Sequence, residues 1–444
     1  MMPPGSLGPG RPAGLGGAVV ALALTAVWLG PSGAALAHSR PSFATNISAS
    51  GSKVAIQTTF GLLVGRWTDP TPGSWRWICP QAMGSIDIED PATFYVDDET
   101  LLMPGFNGLT VGTNDACDWL PAAEDLENVP VFSGARSPVD ERVAYALTSR
   151  PQSSNAVFTT GDGGLTWSPA GTELTGAARY DSVVVAPSDD LRLYVGGSSV
   201  SSNPSGMSTA FVFRSEDGGA TWTTTSTSMR LGERAFRIRA VDPRDPNHVL
   251  ASFGSAFSGR LVASTDGGRS FQDVVEVSSI DALQWRPDGD VVVLSGANET
   301  GIWRSRDGGL SFLRIREDLH ALCLTYIGTE LWACGGIDDE TQVTRSFDDG
   351  ETWSPVMVFE TDLDVVVPCG ADTTVGAICP AAVDELRDDF DLPPLDVGPE
   401  DPGPGEDAPD PGANGSGCSS SAPSSFVWLL LLGTFVQRRC WTLS

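Results

Sequence analysis

An eight-residue pattern, with Ser or Thr first, Asp third, Gly fifth and an aromatic ring eighth, returns five times in the same form along this chain. The copies carry Thr160, Asp162, Gly164 and Trp167; Ser215, Asp217, Gly219 and Trp222; Ser264, Asp266, Gly268 and Phe271; Ser305, Asp307, Gly309 and Phe312; and Ser346, Asp348, Gly350 and Trp353. A degenerate copy with Gly112 first and Trp119 eighth has Asn114 in place of the Asp, and the stretch 67–77 reads as a seventh, rebuilt with prolines. The starts at 112, 160, 215, 264, 305 and 346 are spaced by the length of a four-stranded propeller blade. The residue types explain themselves. A carboxylate can accept hydrogen bonds from nearby backbone N–H groups and close a turn, glycine supplies a positive φ, and the ring anchors the hairpin in a core.

Between the copies lie short β-prone runs bounded by Pro, Asp and Gly, and no long amphipathic helix pattern. Residues 236–241, 248–253, 260–264 and 270–277 read as the four strands of a fifth blade, and 282–286, 290–294, 301–305 and 311–315 as those of a sixth. One blade cannot bury both faces of its sheet, so neighbours must stack around an axis. The expected fold is all-β: a seven-bladed β-propeller of four-stranded antiparallel blades over residues 38–380. An open ring would expose two sheet edges, so a strand near 43–49 is expected to pair with the last blade.

The flanking segments read differently. Arg11, an apolar stretch over 18–29 and the small residues Ala35 and Ala37 make a secretory signal over 1–37, cleaved after Ala37. Residues 381–417 are an acidic, Pro- and Gly-rich spacer, expected to be solvated and disordered. Export favours disulfides. Cys323 and Cys334 flank a two-residue turn at Gly328 and Thr329 and should face each other; Cys369 and Cys379 form a second local pair; Cys79 and Cys117 could staple the first blade to the second. The Cys spacings match no zinc site, the acidic spacer has no calcium loop, and His38, His248 and His320 are scattered, so no metal and no cofactor is expected. A net charge of −29 excludes nucleic acid as a partner, because phosphate binding needs clustered Lys and Arg.

The repeat resembles the Asp box, or BNR repeat, of sialidase-like propellers. In that family the box joins the outer two strands of a blade away from the active centre, which implies a structural role for Asp162, Asp217, Asp266, Asp307 and Asp348. The segment 57–64, followed by Trp75, Trp77 and Cys79, is similar to exported myxobacterial propellers that are themselves compared with photosystem II assembly factors. Gly417, Cys418 and Ser419, an apolar run over 426–436, and Arg438 and Arg439 resemble a myxobacterial C-terminal sorting signal, which implies processing and lipid anchoring at Cys418 within 418–444.

Sialidases and xyloglucan-cleaving glycosidases share such propellers, so a glycoside hydrolase is the alternative reading. Ordinary glycoside hydrolysis needs two carboxylates, and residues 38–68, where such families place one of them, contain neither Asp nor Glu. Arg237, Ile238 and Arg239 are the nearest echo of the sialidase arginine motif and are read as an ordinary strand. No catalytic residue is assigned. The expectation is a monomeric, cell-surface binding or scaffold module for an envelope or extracellular protein or glycan, touching the membrane only through its C-terminal anchor. The loops 199–208 and 133–141 are the candidate contact segments.

Overall fold

The computed structural model describes residues 42–390 apart from 69, 71–73, 86–90, 151–152, 178, 200–205, 256–257, 297–300, 339–340 and 363–368. The expected signal segment with Ala37, the spacer beyond 390, Cys418 and most of the 199–208 loop lie outside the described residues.

Seven four-stranded antiparallel sheets form a ring, a seven-bladed β-propeller. Blade 1 is Ala44–Ser50, Lys53–Thr58, Gly61–Arg66 and Arg76–Ile78; blade 2 is Phe94–Tyr95, Leu101–Gly105, Gly108–Thr113 and Asp118–Pro121. Blade 3 is Val131–Arg136, Ala144–Thr148, Val157–Thr160 and Ser168–Pro169; blade 4 is Arg179–Ala186, Asp189–Ser199, Thr209–Ser215 and Thr223–Ser228. Blade 5 is Ala235–Val241, Val249–Gly254, Gly259–Ser264 and Gln272–Val277; blade 6 is Ala282–Trp285, Val292–Gly296, Gly301–Ser305 and Leu313–Arg316. Blade 7 is Cys323–Ile327, Glu330–Asp338, Thr341–Ser346 and Ser354–Met357.

The first strand of each blade is innermost, and first strands of neighbouring blades touch around the axis, although between blades 2 and 3 the main contact is that of Leu101–Gly105 with Val131–Arg136. Second strands carry continuous apolar runs, such as Val292, Val293 and Leu294, because both of their faces are covered. The cores therefore sit between blades. Val291, Val293 and Ile302 of blade 6 pack with Leu324, Leu331 and Ala333 of blade 7. Fourth strands of blades 3 to 6 face water, Thr223–Ser228 being wholly polar and almost wholly exposed, whereas Trp77 and Ile78 in that of blade 1 are buried. Serine hydroxyls stitch inner strands across blade gaps: Ser48 accepts from Tyr95 N at 3.0 Å, Ser133 from Val183 N at 3.0 Å and Ser182 from Ile238 N at 2.9 Å.

Ring closure departs from the expectation. Ala44–Ser50 is hydrogen-bonded to Lys53–Thr58 of its own blade and only packs against Cys323–Ile327 and Glu330–Asp338. Every blade is built from four consecutive strands, so no strand is exchanged across the seam. A C-terminal segment bridges it instead. After Phe359–Asp362 the chain reaches the short helix Thr374–Ile378 and the helix Pro380–Asp389. Phe60 of blade 1 meets Phe359 and Phe390 edge-on, each at 5.0 Å between centroids. The chain is thus still folded ten residues past the boundary drawn at 380, because Val383, Leu386 and Phe390 bury an apolar face that the acidic composition of that stretch concealed.

The disulfides correct the pairing read from sequence. Cys323 and Cys334 are bonded across their hairpin, with Cα atoms 5.1 Å apart. Cys79 bonds Cys379, and Cys117 bonds Cys369, spanning 300 and 252 residues respectively. Cys369 and Cys379 do not pair locally, because the helix between them carries one to blade 2 and the other to blade 1; Val375 N donates to Cys117 O at 3.0 Å. Three disulfides are those of a chain that folds in an oxidising compartment, as an exported protein does.

Candidate functional site

The eight-residue turns join third to fourth strands, at one end of the ring. In blade 3, Asp162 Oδ1 accepts from Leu165 N at 3.1 Å, Thr166 N at 2.9 Å and Thr160 Oγ1 at 2.7 Å, while Oδ2 accepts from Thr166 Oγ1 at 2.6 Å. The Thr160 hydroxyl in turn accepts from Gly164 N at 3.0 Å. The same net surrounds Asp217, Asp266, Asp307 and Asp348. The hydrogen bond from the Thr166 hydroxyl, followed by that from its backbone, pulls the Asp162 carboxyl down to about 2. Gly163 and Gly164 hold φ of 80° and 100°, which is what the pair of glycines is for.

The degenerate turn of blade 2 puts Asn114, Asp115 and Ala116 at φ of 51°, 55° and 64° without a glycine. External ties hold this strained geometry. Asp115 pairs with Lys53 at 3.0 Å and Arg76 at 2.7 Å, both from blade 1, and Cys117 is clamped to the C-terminal segment. Trp119 Nε1 donates to Ala116 O at 2.9 Å, matching Trp167 to Gly164 O at 2.9 Å. In blade 1 the equivalent ring is Trp75, stacked over Gly65 as Trp119 is over Gly112, and not Trp67 or Trp77.

In antiparallel blades the starts of first strands and the turns between second and third strands share the opposite end of the ring. There a cavity of about 520 Å³ opens near the axis. It is lined by Pro91, Pro104 and Phe106 of blade 2, Phe132 of blade 3, Arg179 and Asp181 of blade 4 and Arg237 of blade 5, among others. Phe106 and Phe132 meet edge-on at 5.0 Å and are 44% and 38% exposed. A neighbouring cleft of about 310 Å³ continues past Arg234, Arg237 and Arg239 to Asp281.

Two inner-strand irregularities shape this basin. Pairing skips Asp181 between Tyr180 and Ser182, and skips Arg239 between Ile238 and Ala240. A bulge re-aims the extra side chain, and both occur at the charged residue. Asp181 Oδ1 accepts from Arg179 Nε at 2.6 Å, but Oδ2 is buried and meets no donor among the described residues. Burial pushes the Asp181 carboxyl above its usual range against the opposing pull of Arg179, Arg237 and Arg239. Arg239 donates to Ser252 Oγ and to the carbonyls of Ile280 and Asp281, and burial, reinforced by Arg237, lowers it to about 10. Arg237 is exposed, and its side chain makes no hydrogen bond among the described residues.

Sequence reading passed over this basin. Arg237 and Arg239 do lie in a strand, but an innermost and bulged one beside a cavity. A run of alternating Arg on a strand otherwise facing a packed axis is the signal that was there to be used. The loop 133–141 splits: Ser133 stitches blades 3 and 4, while Arg136, Ser137, Pro138, Val139 and Glu141 line a separate cavity of about 390 Å³ at the end of the ring that carries the repeat turns. Ser199, where the other candidate loop begins, lies at the basin end.

No protein-family model and no curated protein matches the sequence. Solved structures do resemble it. An ancestral GH74 enzyme aligns with a TM-score of 0.53 at 13% identity, over 71% of this chain and 46% of that one. A puromycin hydrolase S511A mutant gives 0.52 at 11%, over 74% and 55%; a Mycobacterium tuberculosis puromycin-hydrolyzing peptidase gives 0.52 at 13%, over 76% and 56%. This chain spans about half the length of these enzymes, and at such identities the likeness is one of propeller fold.

Proposed function

We propose that this chain is an exported binding module, held at the cell surface by its C-terminal segment, whose ligand from the envelope or the extracellular space sits in the axial basin. The observation that carries the reading is the basin itself: exposed rings on one wall, an arginine cluster on the other and a half-satisfied buried carboxylate between them. Apolar walls with a few convergent polar groups are the usual make-up of a ligand site, and perturbed titratable groups concentrate there. The five repeat carboxylates are engaged within their own turns at the other end of the ring, which supports a structural role for them.

Glycoside hydrolysis, as in the GH74 enzyme of similar fold, is the second reading. Asp181 is the one carboxylate lining the basin among the described residues, and Asp281 in the adjoining cleft is the nearest candidate for its partner. The test is a binding screen of the purified chain against glycans and envelope proteins, beside hydrolysis assays on sialosides and β-glucans, with wild type, Arg237→Ala and Phe132→Ala in parallel. Saturable binding lost in both variants, without turnover, is expected. Turnover abolished by Asp181→Asn would replace the binding reading with the hydrolase.

A further inference from the structure

The basin sets three unmet chemistries side by side. Arg237 offers an exposed guanidinium that feels the Asp181 charge but makes no side-chain hydrogen bond or close ion pair among the described residues. Asp181 offers a carboxylate oxygen with no donor, on a side chain only 4% exposed. Phe106 and Phe132 offer apolar ring faces and edges to the cavity. Each constrains a ligand differently. A simple anion would meet Arg237 but would be repelled by the Asp181 carboxylate beside it and would leave that group's second oxygen as unpaired as before. A simple cation would satisfy that oxygen but would face Arg179, Arg237 and Arg239 together. A neutral apolar molecule would use the rings and neither charge. Only a molecule with both signs and an apolar group answers all three.

Resting on the basin as ligand site, we propose that it takes a zwitterion of the amino-acid class, its carboxylate on Arg237, its ammonium on Asp181 Oδ2 and an apolar side chain against Phe106 and Phe132. Arginine suits the first role because its planar fork can take a carboxylate through two parallel hydrogen bonds. Arg179 holds Asp181 by the other oxygen, so Oδ2 is the acceptor left without a donor; it is closed to solvent in the free chain and takes the incoming N–H as the basin wall shifts to admit it. Arg239, fixed by Ser252 and the carbonyls of Ile280 and Asp281, is a positioning residue that keeps the 280–281 loop in place beside Arg237. The cavity of about 520 Å³ exceeds one amino acid and admits a dipeptide, so a free amino acid and a short peptide are the two sources of this chemistry.

The experiment is calorimetric titration of the whole exported chain with phenylalanine, phenylalanyl-phenylalanine, N-acetylphenylalanine and phenylalaninamide. At least one zwitterion binds saturably, and the tighter of the two identifies the source. Removing the ammonium by acetylation, or the carboxylate by amidation, weakens binding at least tenfold. Arg237→Ala weakens the zwitterion but leaves phenylalaninamide unchanged, and Asp181→Asn weakens it but leaves N-acetylphenylalanine unchanged; a merely structural role at either position would weaken all ligands alike. Absence of zwitterion binding at about 10 mM, equal binding of the capped forms, or full binding in both variants overturns the proposal. If the zwitterions fail while a glycan or protein still binds through Arg237, the proposal falls and the basin remains the ligand site. If nothing that binds depends on Arg237 or Phe132, both readings fall.

Discussion

Removing the two long-range disulfides should cost the ring more for the second bond than for the first. With Cys379→Ala and Cys79→Ala together, the Cys117–Cys369 bond still closes the chain, and what is released is only the path through 79–117 and 369–379, a loop of about 48 residues. The loop-entropy relation gives about 4 kcal/mol for that length. Removing Cys117 and Cys369 alone releases the same path and has the same effect. Once both bonds are gone the released loop is the full 252 or 300 residues, and the second removal costs about 5.5 kcal/mol. Spread over a fold of roughly 340 residues, the first step lowers Tm by about 5–6 °C and both together by about 13 °C. Differential scanning calorimetry under non-reducing conditions reads these shifts. The Cys323–Cys334 pair closes only 11 residues and supplies a control near 4 °C, or about 3 kcal/mol. A variant lacking both long bonds that melts within about 2 °C of wild type would refute the idea that the C-terminal segment closes the ring. So would a first removal that costs more than the second.

Other expectations concern the turns and the basin. Asp162 has its folded pKa held near 2, below the unfolded 3.8, so its stabilising contribution is present above about pH 4 and disappears as pH falls through 2. The Tm gap between wild type and Asp162→Asn should accordingly be widest near neutrality and close across that acid window. Asp181 has the opposite sign: burial raises its folded pKa, so the ionised group opposes folding above its unfolded pKa. Asp181→Asn should leave Tm at pH 7 equal or higher, with any gain vanishing below about pH 4, as thermal melts across pH would read. A methyl at Gly65 or Gly112 would lie 2.7 Å from the ring of Trp75 or Trp119. Gly65→Ala and Gly112→Ala should each cost about 1–3 kcal/mol in chemical denaturation, as overpacking does.

The blades were legible because each rests on local chemistry. A Ser or Thr, an Asp and glycines make a turn that closes within eight residues, and its spacing fixes the blade count without any distant contact. Ring closure was not legible. The pairing of Cys79 with Cys379 depends on where a helix after the last blade comes to rest, and nothing within 369–379 encodes that position. Helix Pro380–Asp389 was hidden by composition: its acids read as spacer, although Val383 and Leu386, three apart, mark one buried face. The basin was hidden for a third reason. Asp181, Arg237 and Phe132 lie on different blades, and bulges at Asp181 and Arg239 shift side chains by one step from the alternation a strand would give.

The clasp and the basin bear on each other through the ring. The basin is assembled from blades 2, 3, 4 and 5, and no two neighbouring blades contain all of its parts. In a stack where each blade contacts only its neighbours, displacement at one edge can spread along the series, and an unclosed ring can relax by opening at its seam. The seam here lies between blades 7 and 1. The degenerate turn in blade 2 is held by Lys53 and Arg76 of blade 1 and by Cys117 on the C-terminal segment. Blade 2, which supplies Phe106, is thus fixed partly by what closes the ring. A variant lacking both long disulfides should, while still folded, bind the basin ligand more weakly than wild type, and the loss should fall mainly on the apolar contact. An affinity for the capped and uncapped probes that ignores the state of the clasp would mean that the inner-strand contacts and serine stitches alone hold the four blades in register.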